Sequence, residues 1–263
     1  MLTYFPLWGA RVRIPLPALL AMLFMLDPIV YVYEKILKKG IRNSSIPVNH
    51  VLLVLDESDL LSDTSGTGME QLRQFINWCY ALKIKIISVY IGVIRDGVDK
   101  NVLEKAYAHL TESITRMLSK EKASVSIYTD GPEPTYKKSV EGADASADNE
   151  SDMRNKGREI NISIGLGGRS ELTKAIKEIV KKVKAGEIEP EEIDEKLIES
   201  ELIFKSDPDL VIRSGTTRLT DFLIWQSVYS EFYFTDINWR KFRKIDLLRA
   251  VRDFQLRKRR FGR

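Results

Sequence analysis

The sequence predicts an α/β fold with a mostly parallel central sheet of about six strands flanked by helices. Short runs rich in β-branched and apolar residues alternate along the chain with longer stretches of helical periodicity. Such alternation is typical of parallel strands joined by right-handed helical crossovers. The composition, with 44% hydrophobic and 30% charged residues in a chain of 263, is that of an ordinary globular protein.

The first part of the chain contains an apolar run, Ile14–Leu26. The run is about half the length that a bilayer-spanning helix needs, and prolines interrupt it. Two interpretations of residues 1–28 stay open: a peripheral membrane-contacting segment, or translated sequence upstream of the true start. We expect residues 29–263 to form a single domain.

The strand candidates share a high content of β-branched and apolar residues. They are His50–Asp56, Ile84–Val93, Ser124–Thr129, Ile160–Leu166, Asp209–Arg213 and Glu231–Phe234. The first of these is almost continuously apolar, as expected for a strand that is covered on both faces. Helical periodicity predicts the helices Met69–Leu82, Val102–Leu118, Ser170–Lys184, a helix opened by Pro190, Thr220–Tyr229 and Lys244–Arg259.

Residues 131–159 differ in composition from their surroundings. Acids, serines, lysines, glycines and prolines replace large apolar side chains there. Such a segment cannot bury enough apolar surface to offset the entropy lost when it becomes ordered. We therefore expect a long mobile loop inside the domain.

Several classes of site have little support in the composition. The single cysteine, Cys79, excludes an intrachain disulfide and a multi-cysteine zinc site, and its place on a predicted apolar helix face indicates a buried residue. Two histidines, His50 and His109, are few for a histidine-based metal site; we expect the first to be structural and the second solvated. The formal net charge of +4 gives no reason to expect nucleic acid as a partner.

In parallel α/β sheets, ligands bind outside the carboxyl ends of the strands. Three candidates lie at such positions: Asp56, Gly167–Arg169 and Arg213. Arg213 is followed by small residues and Arg218 just before a predicted helix. Two guanidinium groups beside a helix N-terminus can bind a diphosphate. On the residues alone, a surface loop whose arginines pair with acids is equally compatible.

The segment Pro208–Phe234 reads PDLVIRSGTTRLTDFLIWQSVYSEFYF and resembles the C-terminal signature of the cis-prenyltransferases. This family includes the undecaprenyl and dehydrodolichyl diphosphate synthases. Further matches to the family are Tyr33-Glu34, Pro47–Asp56, Met69–Tyr90, Gly167–Arg169 and Arg259–Gly262. The resemblance implies a cis-prenyltransferase-like fold and the condensation of isopentenyl diphosphate with an allylic diphosphate, assisted by Mg²⁺.

The resemblance also implies roles for single residues. Arg213, Arg218 and Thr220 match positions that bind isopentenyl diphosphate. Asp56 matches the catalytic aspartate that binds Mg²⁺ and the allylic diphosphate. Glu231 matches a glutamate that helps to hold Mg²⁺ across the dimer.

Arg260 and Gly262 match the terminal R-x-G of the family, which reaches the diphosphate pocket of the neighbouring subunit. In contrast, the turn after Asp56 departs from the family pattern, D-G-N-R-R-W-A, and reads DESDLLS. Both arginines are lost, and the acids Glu57 and Asp59 are gained. Like charges repel a diphosphate, so the allylic site is expected to be weakened.

This uneven pattern most resembles the non-catalytic, Nogo-B-receptor-like subunits of heteromeric cis-prenyltransferases. The implied function is that of an accessory subunit in the synthesis of a long-chain polyprenyl diphosphate. It would pair with a catalytic subunit in a heterodimer or heterotetramer, and Mg²⁺ would be bound only in that partner. Two alternatives remain: a divergent but active homodimeric synthase, and a non-enzymatic scaffold of the same fold. We expect a cytoplasmic protein with peripheral contact to a membrane surface.

Overall fold

The computed structural model describes residues 4–7, 10–13, 16–61, 66–93, 99–129, 134–139, 157–204, 207–215 and 225–257. In chain order its elements are β1 (Tyr4–Leu7), β2 (Ala10–Arg13), α1 (Leu16–Arg42), β3 (His50–Asp56), α2 (Glu57–Leu61), α3 (Thr67–Ala81), β4 (Ile86–Gly92), α4 (Lys100–Leu118), β5 (Ser124–Tyr128), β6 (Tyr136–Lys138), β7 (Glu159–Ile164), α5 (Gly168–Lys184), α6 (Glu195–Glu201), β8 (Leu210–Ser214), β9 (Glu231–Thr235) and α7 (Lys244–Leu256). Single 3₁₀ turns lie at Pro190–Glu192 and Trp239–Lys241.

The chain divides into two compact units, of which the first contains Met1–Ile46 and Ile245–Arg257. Strands β1 and β2 form an antiparallel hairpin in this unit. The C-terminal end of α1 is held by α7, because the Gln255 side chain donates to the carbonyls of Ile41 (3.3 Å) and Ile46 (2.9 Å). These bonds satisfy carbonyl groups that the end of a helix leaves without partners.

The second unit is built mainly of Pro47–Lys244. Its seven-stranded sheet has the order β6-β5-β7-β4-β3-β8-β9, and each neighbouring pair is parallel except β5 with β6. Strand β3 lies between β4 and β8 and is buried from His50 to Leu55. The predicted α/β fold with a mostly parallel sheet is therefore confirmed, and its apolar strands form the core.

Two predicted helices differ from the structure. Pro190 opens only a 3₁₀ turn, and the following helix starts after Asp194, whose carboxylate accepts a hydrogen bond from the Leu197 amide at 2.8 Å. Residues 225–229 form a turn where helical periodicity predicts a helix end. Tertiary hydrogen bonds hold this turn, including one from the Ser230 hydroxyl to the Pro208 carbonyl at 2.6 Å.

The predicted loop 131–159 and the predicted N-terminal extension 1–28 are only partly described. Strand β6 lies within the former, whereas residues 131–133 and 140–156 lie outside the described residues. The predicted boundary after residue 28 falls within α1 and stays a prediction. In the part of the chain that the structure describes, no helix combines the length and apolar character needed to span a bilayer.

The single cysteine and the two histidines lie as predicted, the first two of these residues buried and the third exposed. Cys79 is fully buried, and burial raises the pKa of its thiol, which keeps the thiol protonated. His50 is buried with its Nε2 2.8 Å from the Ser88 hydroxyl oxygen, and burial lowers its pKa. His109 is exposed on α4.

Candidate active site

The carboxyl ends of β3 and β8 lie side by side in the sheet. Asp56 is the last residue of β3, and Arg213 projects from β8 opposite Val54. The Arg213 Nη2 lies 2.7 Å from the Asp56 Oδ2, and its Nη1 donates to the Val54 carbonyl at 3.3 Å. Two residues that the sequence singled out separately are thus brought into direct contact.

The two partners of this ion pair differ in burial. The Arg213 side chain is 2% exposed, whereas the Asp56 side chain is 44% exposed. A buried guanidinium needs a partner because an unpaired charge away from water is costly. At the end of β4, a Cβ on Gly92 would lie 3.2 Å from the Asp56 Oδ1, so glycine leaves room there for the carboxylate. The pair therefore combines a buried cation with a carboxylate that solvent can reach.

The turn after Asp56 is acidic, as the sequence indicated, and one of its acids bonds back to the strand. The Asp59 carboxylate accepts a hydrogen bond from the Asp56 amide at 3.0 Å. Burial raises the pKa of Asp59, and the neighbouring Asp56 charge adds to this, while Arg213 and Arg240 oppose it. Arg240 also donates to the Ser58 carbonyl at 3.2 Å. An amide that could bind an anionic ligand is thus already occupied by an internal carboxylate.

Strand β8 ends in a tight turn that begins the predicted diphosphate-binding segment. The Ser214 hydroxyl donates to the Ile237 carbonyl at 2.5 Å, and the Gly215 amide donates to the Thr235 carbonyl at 2.9 Å. Gly215 has a φ of +78°, a conformation that favours glycine. The predicted contacts Arg218, Thr220, Arg260 and Gly262 lie outside the described residues.

Glu231 lies at the amino-terminal end of the parallel strands, whereas Asp56 lies at their carboxyl end. It starts β9 and pairs in register with Leu210, which in turn pairs with Val51 of β3. Asp56 is therefore five residues further along the parallel strands, or about 16 Å at the usual rise per residue. Within one chain the two carboxylates are therefore too far apart to bind one Mg²⁺, and the expected metal contact across a dimer stays a prediction. Among the described residues, no group of three or more His, Cys, Asp and Glu side chains is placed to hold a metal ion.

Sequence reasoning missed a buried carboxylate in the first turn of α5. Glu171 is 2% exposed and accepts hydrogen bonds from the amides of Ile203 (2.8 Å) and Phe204 (3.1 Å). The Gln226 amide nitrogen lies 3.2 and 3.1 Å from its two carboxylate oxygens and also donates to the Phe204 carbonyl at 3.0 Å. Burial raises the pKa of Glu171, and these hydrogen bonds oppose the rise.

The contacts of Glu171 explain why Gln226 is placed where it is. Gln226 comes shortly after residues 216–224, the part of the predicted diphosphate segment outside the described residues. The described residues on either side, Gly215 and Gln226, are both held by hydrogen bonds. In the sequence, the contact between Glu171 and Gln226 is signalled only by the position of Glu171, two residues after Arg169. Acidic residues are common in the first turn of a helix.

The edge of the sheet at β9, next to β8, is apolar and accessible. β9 is the last strand on this side in the described part of the chain. Val228 and Tyr229 are 66% and 64% exposed, and Phe234 is 39% exposed. The rings of Phe232 and Phe234 stack with centroids 6.0 Å apart. Exposed apolar surface at a sheet edge is typical of contacts with another chain.

The buried arginine and its aspartate partner lie at the carboxyl ends of parallel strands, where α/β proteins bind their ligands. A family model described as "Putative undecaprenyl diphosphate synthase" matches residues 58–262. The chain therefore belongs to the cis-prenyltransferase family, as the sequence motifs predicted.

Named relatives align over most of the chain. A tritrans,polycis-undecaprenyl-diphosphate synthase (geranylgeranyl-diphosphate specific) from Methanocaldococcus jannaschii is 37% identical over 257 residues, which cover 89% of each chain. An isoprenyl transferase from Thermus thermophilus is 31% identical, with 92% of this chain and 98% of the relative covered. Among solved structures, lavandulyl diphosphate synthase from Lavandula x intermedia in complex with dimethylallyl diphosphate gives a TM-score of 0.60 at 25% identity, covering 82% of this chain and 98% of that one.

Proposed function

We propose that this chain is a divergent polyprenyl diphosphate synthase that condenses isopentenyl diphosphate with an allylic diphosphate. The observation that carries the proposal is the contact of 2.7 Å between the buried Arg213 and the accessible Asp56 at the carboxyl ends of β3 and β8. The synthase and transferase names of the relatives that align with about nine tenths of the chain support it. They favour a synthase active by itself, one of the two alternatives above, over the accessory subunit that the sequence put first.

In this proposal Arg213, Arg218 and Thr220 bind the diphosphate of isopentenyl diphosphate. Asp56 faces the allylic diphosphate and supplies one carboxylate to Mg²⁺. Such sites commonly use one or two carboxylates, substrate phosphate oxygens and water to hold Mg²⁺, which assists departure of the diphosphate group. Glu231 contributes only from a second chain, because within one chain it lies at the opposite end of the parallel strands from Asp56.

The exposed apolar residues beside β9 support pairing with a second chain. Val228, Tyr229 and Phe234 provide the apolar contact, and β9 provides backbone groups at the edge. A synthase active by itself would use this surface to form a homodimer. Arg260 and Gly262 would then reach the diphosphate pocket of the neighbouring copy.

The allylic substrate we propose is geranylgeranyl diphosphate, because the relative from Methanocaldococcus jannaschii is named as specific for it. The test is incorporation of radiolabelled isopentenyl diphosphate by the purified chain with dimethylallyl, farnesyl or geranylgeranyl diphosphate and Mg²⁺. We expect incorporation to be highest with the geranylgeranyl compound and to be lost in Asp56→Ala. Equal incorporation by the wild type and Asp56→Ala would contradict the proposed site.

A second candidate function is the accessory subunit, and a specific observation favours it. The Asp59 carboxylate occupies the Asp56 amide and adds negative charge where an allylic diphosphate would bind. Such a subunit would contribute Arg260 and Gly262 to an intact catalytic partner. It predicts no incorporation by the chain alone, but activation of a family member that carries D-G-N-R-R-W-A. Deletion of Arg260–Arg263 would remove that activation.

We also propose a cytoplasmic location with peripheral contact to a membrane. The expected product has a long apolar chain, and a synthase next to a bilayer could release it there directly. Comparison of the cytosolic and membrane fractions of the source cells, at low and high salt, would test this location.

A further inference from the structure

Helix α1 has an apolar face that solvent can reach. Ile29, Val32 and Ile36 are 63%, 55% and 61% exposed. Their spacing of three and four residues places them in one row along the helix. Leu37 lies on a different face and is buried, so in residues 28–42 the covered side of the helix differs from the exposed one. We call Ile29, Val32 and Ile36 the α1 stripe.

Basic residues border the α1 stripe. Lys35, Lys39 and Arg42 follow Val32 at intervals of three, seven and ten residues, so they form a parallel row on one flank. All three are exposed. An apolar row beside a cationic row is the arrangement of helices that lie in the interface of an anionic membrane.

Charge is distributed unevenly between the two units. The first, Met1–Ile46 with Ile245–Arg257, has nine Lys and Arg against four Asp and Glu. The second, Pro47–Lys244 with Lys258–Arg263, has 32 Lys and Arg against 33 Asp and Glu. The α1 stripe therefore belongs to the unit with a net positive charge, which an anionic surface attracts, whereas the unit with the candidate active site is nearly neutral.

We propose that the α1 stripe docks the protein on an anionic lipid bilayer, with Ile29, Val32 and Ile36 entering the interface and Lys35 and Lys39 contacting lipid phosphates. Residues 16–26, the preceding turns of α1, contain no charged residue, so the helix becomes more apolar toward its N-terminus. The inference deepens the peripheral membrane contact proposed above and does not depend on catalysis. It also places the membrane contact in residues 29–42, beyond the segment 1–28 that the sequence suggested.

The test is co-sedimentation of the purified full chain with vesicles. One set consists of phosphatidylcholine alone, and the other also contains phosphatidylglycerol. We expect binding to the anionic vesicles only, with weakening by added salt. Ile29→Gln combined with Ile36→Gln should lower the partition coefficient at least about tenfold, because the apolar contact is lost. Lys35→Gln combined with Lys39→Gln should lower it about tenfold or more.

A matched control is available on α5, where the apolar residues Ile176 and Val180 are 48% and 44% exposed. Ile176→Gln combined with Val180→Gln should bind vesicles like the wild type. Sedimentation velocity without lipid should show the same oligomeric state for the stripe variant and the wild type.

A wild type that stays in solution with both vesicle types would overturn the proposal. A stripe variant that changes oligomeric state while binding vesicles normally would instead assign the stripe to a second copy of the chain. Isopentenyl diphosphate incorporation without vesicles should be equal in the stripe variant and the wild type, which separates this test from that of the proposed function.

Discussion

The ends of β3 and β8 are neighbours in one sheet but carry side chains of opposite charge. At β8, a buried guanidinium is fixed by Asp56 and by the Val54 carbonyl. At β3, the chain continues into a turn whose Asp59 carboxylate takes up the Asp56 amide. Both strands are buried and paired in register, so the scaffold is the same on the two sides. The comparison teaches that one scaffold can carry very different charge at two neighbouring strand ends.

The largest effect should come from removing the cation at the end of β8. We expect Arg213→Ala to lower isopentenyl diphosphate incorporation about 10²–10³-fold, as the loss of a preorganised donor to a charged group does. The ion pair to Asp56 and the bond to Val54 are lost together. Steady-state kinetics with the isopentenyl diphosphate concentration varied would measure this.

Arg213→Lys is the matched control, because it keeps the charge but cannot reach both acceptors in the same geometry. We expect it to recover only part of the activity. Full activity in Arg213→Ala, with an unchanged melting temperature, would show that Arg213 of β8 is not part of the proposed site.

The next largest effect should come from removing Glu171, which holds Gln226 in place. We expect Glu171→Ala to lower the free energy of unfolding by about 2–4 kcal/mol, because buried amides and Gln226 lose their acceptor. Urea denaturation would measure the change. Hydrogen exchange should increase at residues 203–204 and 225–227 and stay unchanged in β4; equal exchange throughout would assign Glu171 no anchoring role.

Glu171 also gives a pH dependence of defined sign. Its pKa is raised in the folded protein above the ordinary value of 4.5. The folded state therefore binds a proton more readily than the unfolded state, and stability falls as the pH rises from 4.5 through the folded pKa. Glu171→Gln should remove this component, seen as a flatter curve of unfolding free energy against pH. A wild-type curve that rises over the same interval relative to Glu171→Gln would contradict the direction.

The smallest effect should come from removing charge on the β3 side. Asp59→Asn keeps an oxygen that can accept the Asp56 amide but removes a negative charge. We expect the KM for the allylic diphosphate to fall about 3–10-fold, which is typical of removing one poorly screened like charge. Glu70→Gln, at an exposed acid on α3, is the control and should leave KM unchanged. An unchanged KM in Asp59→Asn would show that the turn does not limit allylic binding.

Much of the fold could be predicted because it depends on local patterns. The apolar run His50–Asp56 identified the central strand, and the helix predicted to end at Lys184 does end there. The turn at 225–229 was missed because the tertiary bonds of Gln226 override its helical periodicity. Strand β6 was missed because three polar residues in a loop-like composition gain their order from pairing with β5.

The candidate site was predictable to a similar degree. Asp56 and Arg213 were found from strand ends and family motifs, whereas their contact depends on the order of β3 and β8 in the sheet. The bond between Asp59 and the Asp56 amide, and the anchoring of Gln226 by Glu171, depend on side-chain geometry that no periodicity encodes. The acids after Asp56 led the sequence analysis to an accessory role, and the relatives favour a synthase.

The decisive measurement is label incorporation by this chain purified without any other family member, with geranylgeranyl diphosphate and Mg²⁺, in wild type and Asp56→Ala side by side. We predict slow but clear polyprenyl product from the wild type and none from the variant. If the wild type is silent and instead stimulates a relative that carries D-G-N-R-R-W-A, the chain is not a synthase in its own right.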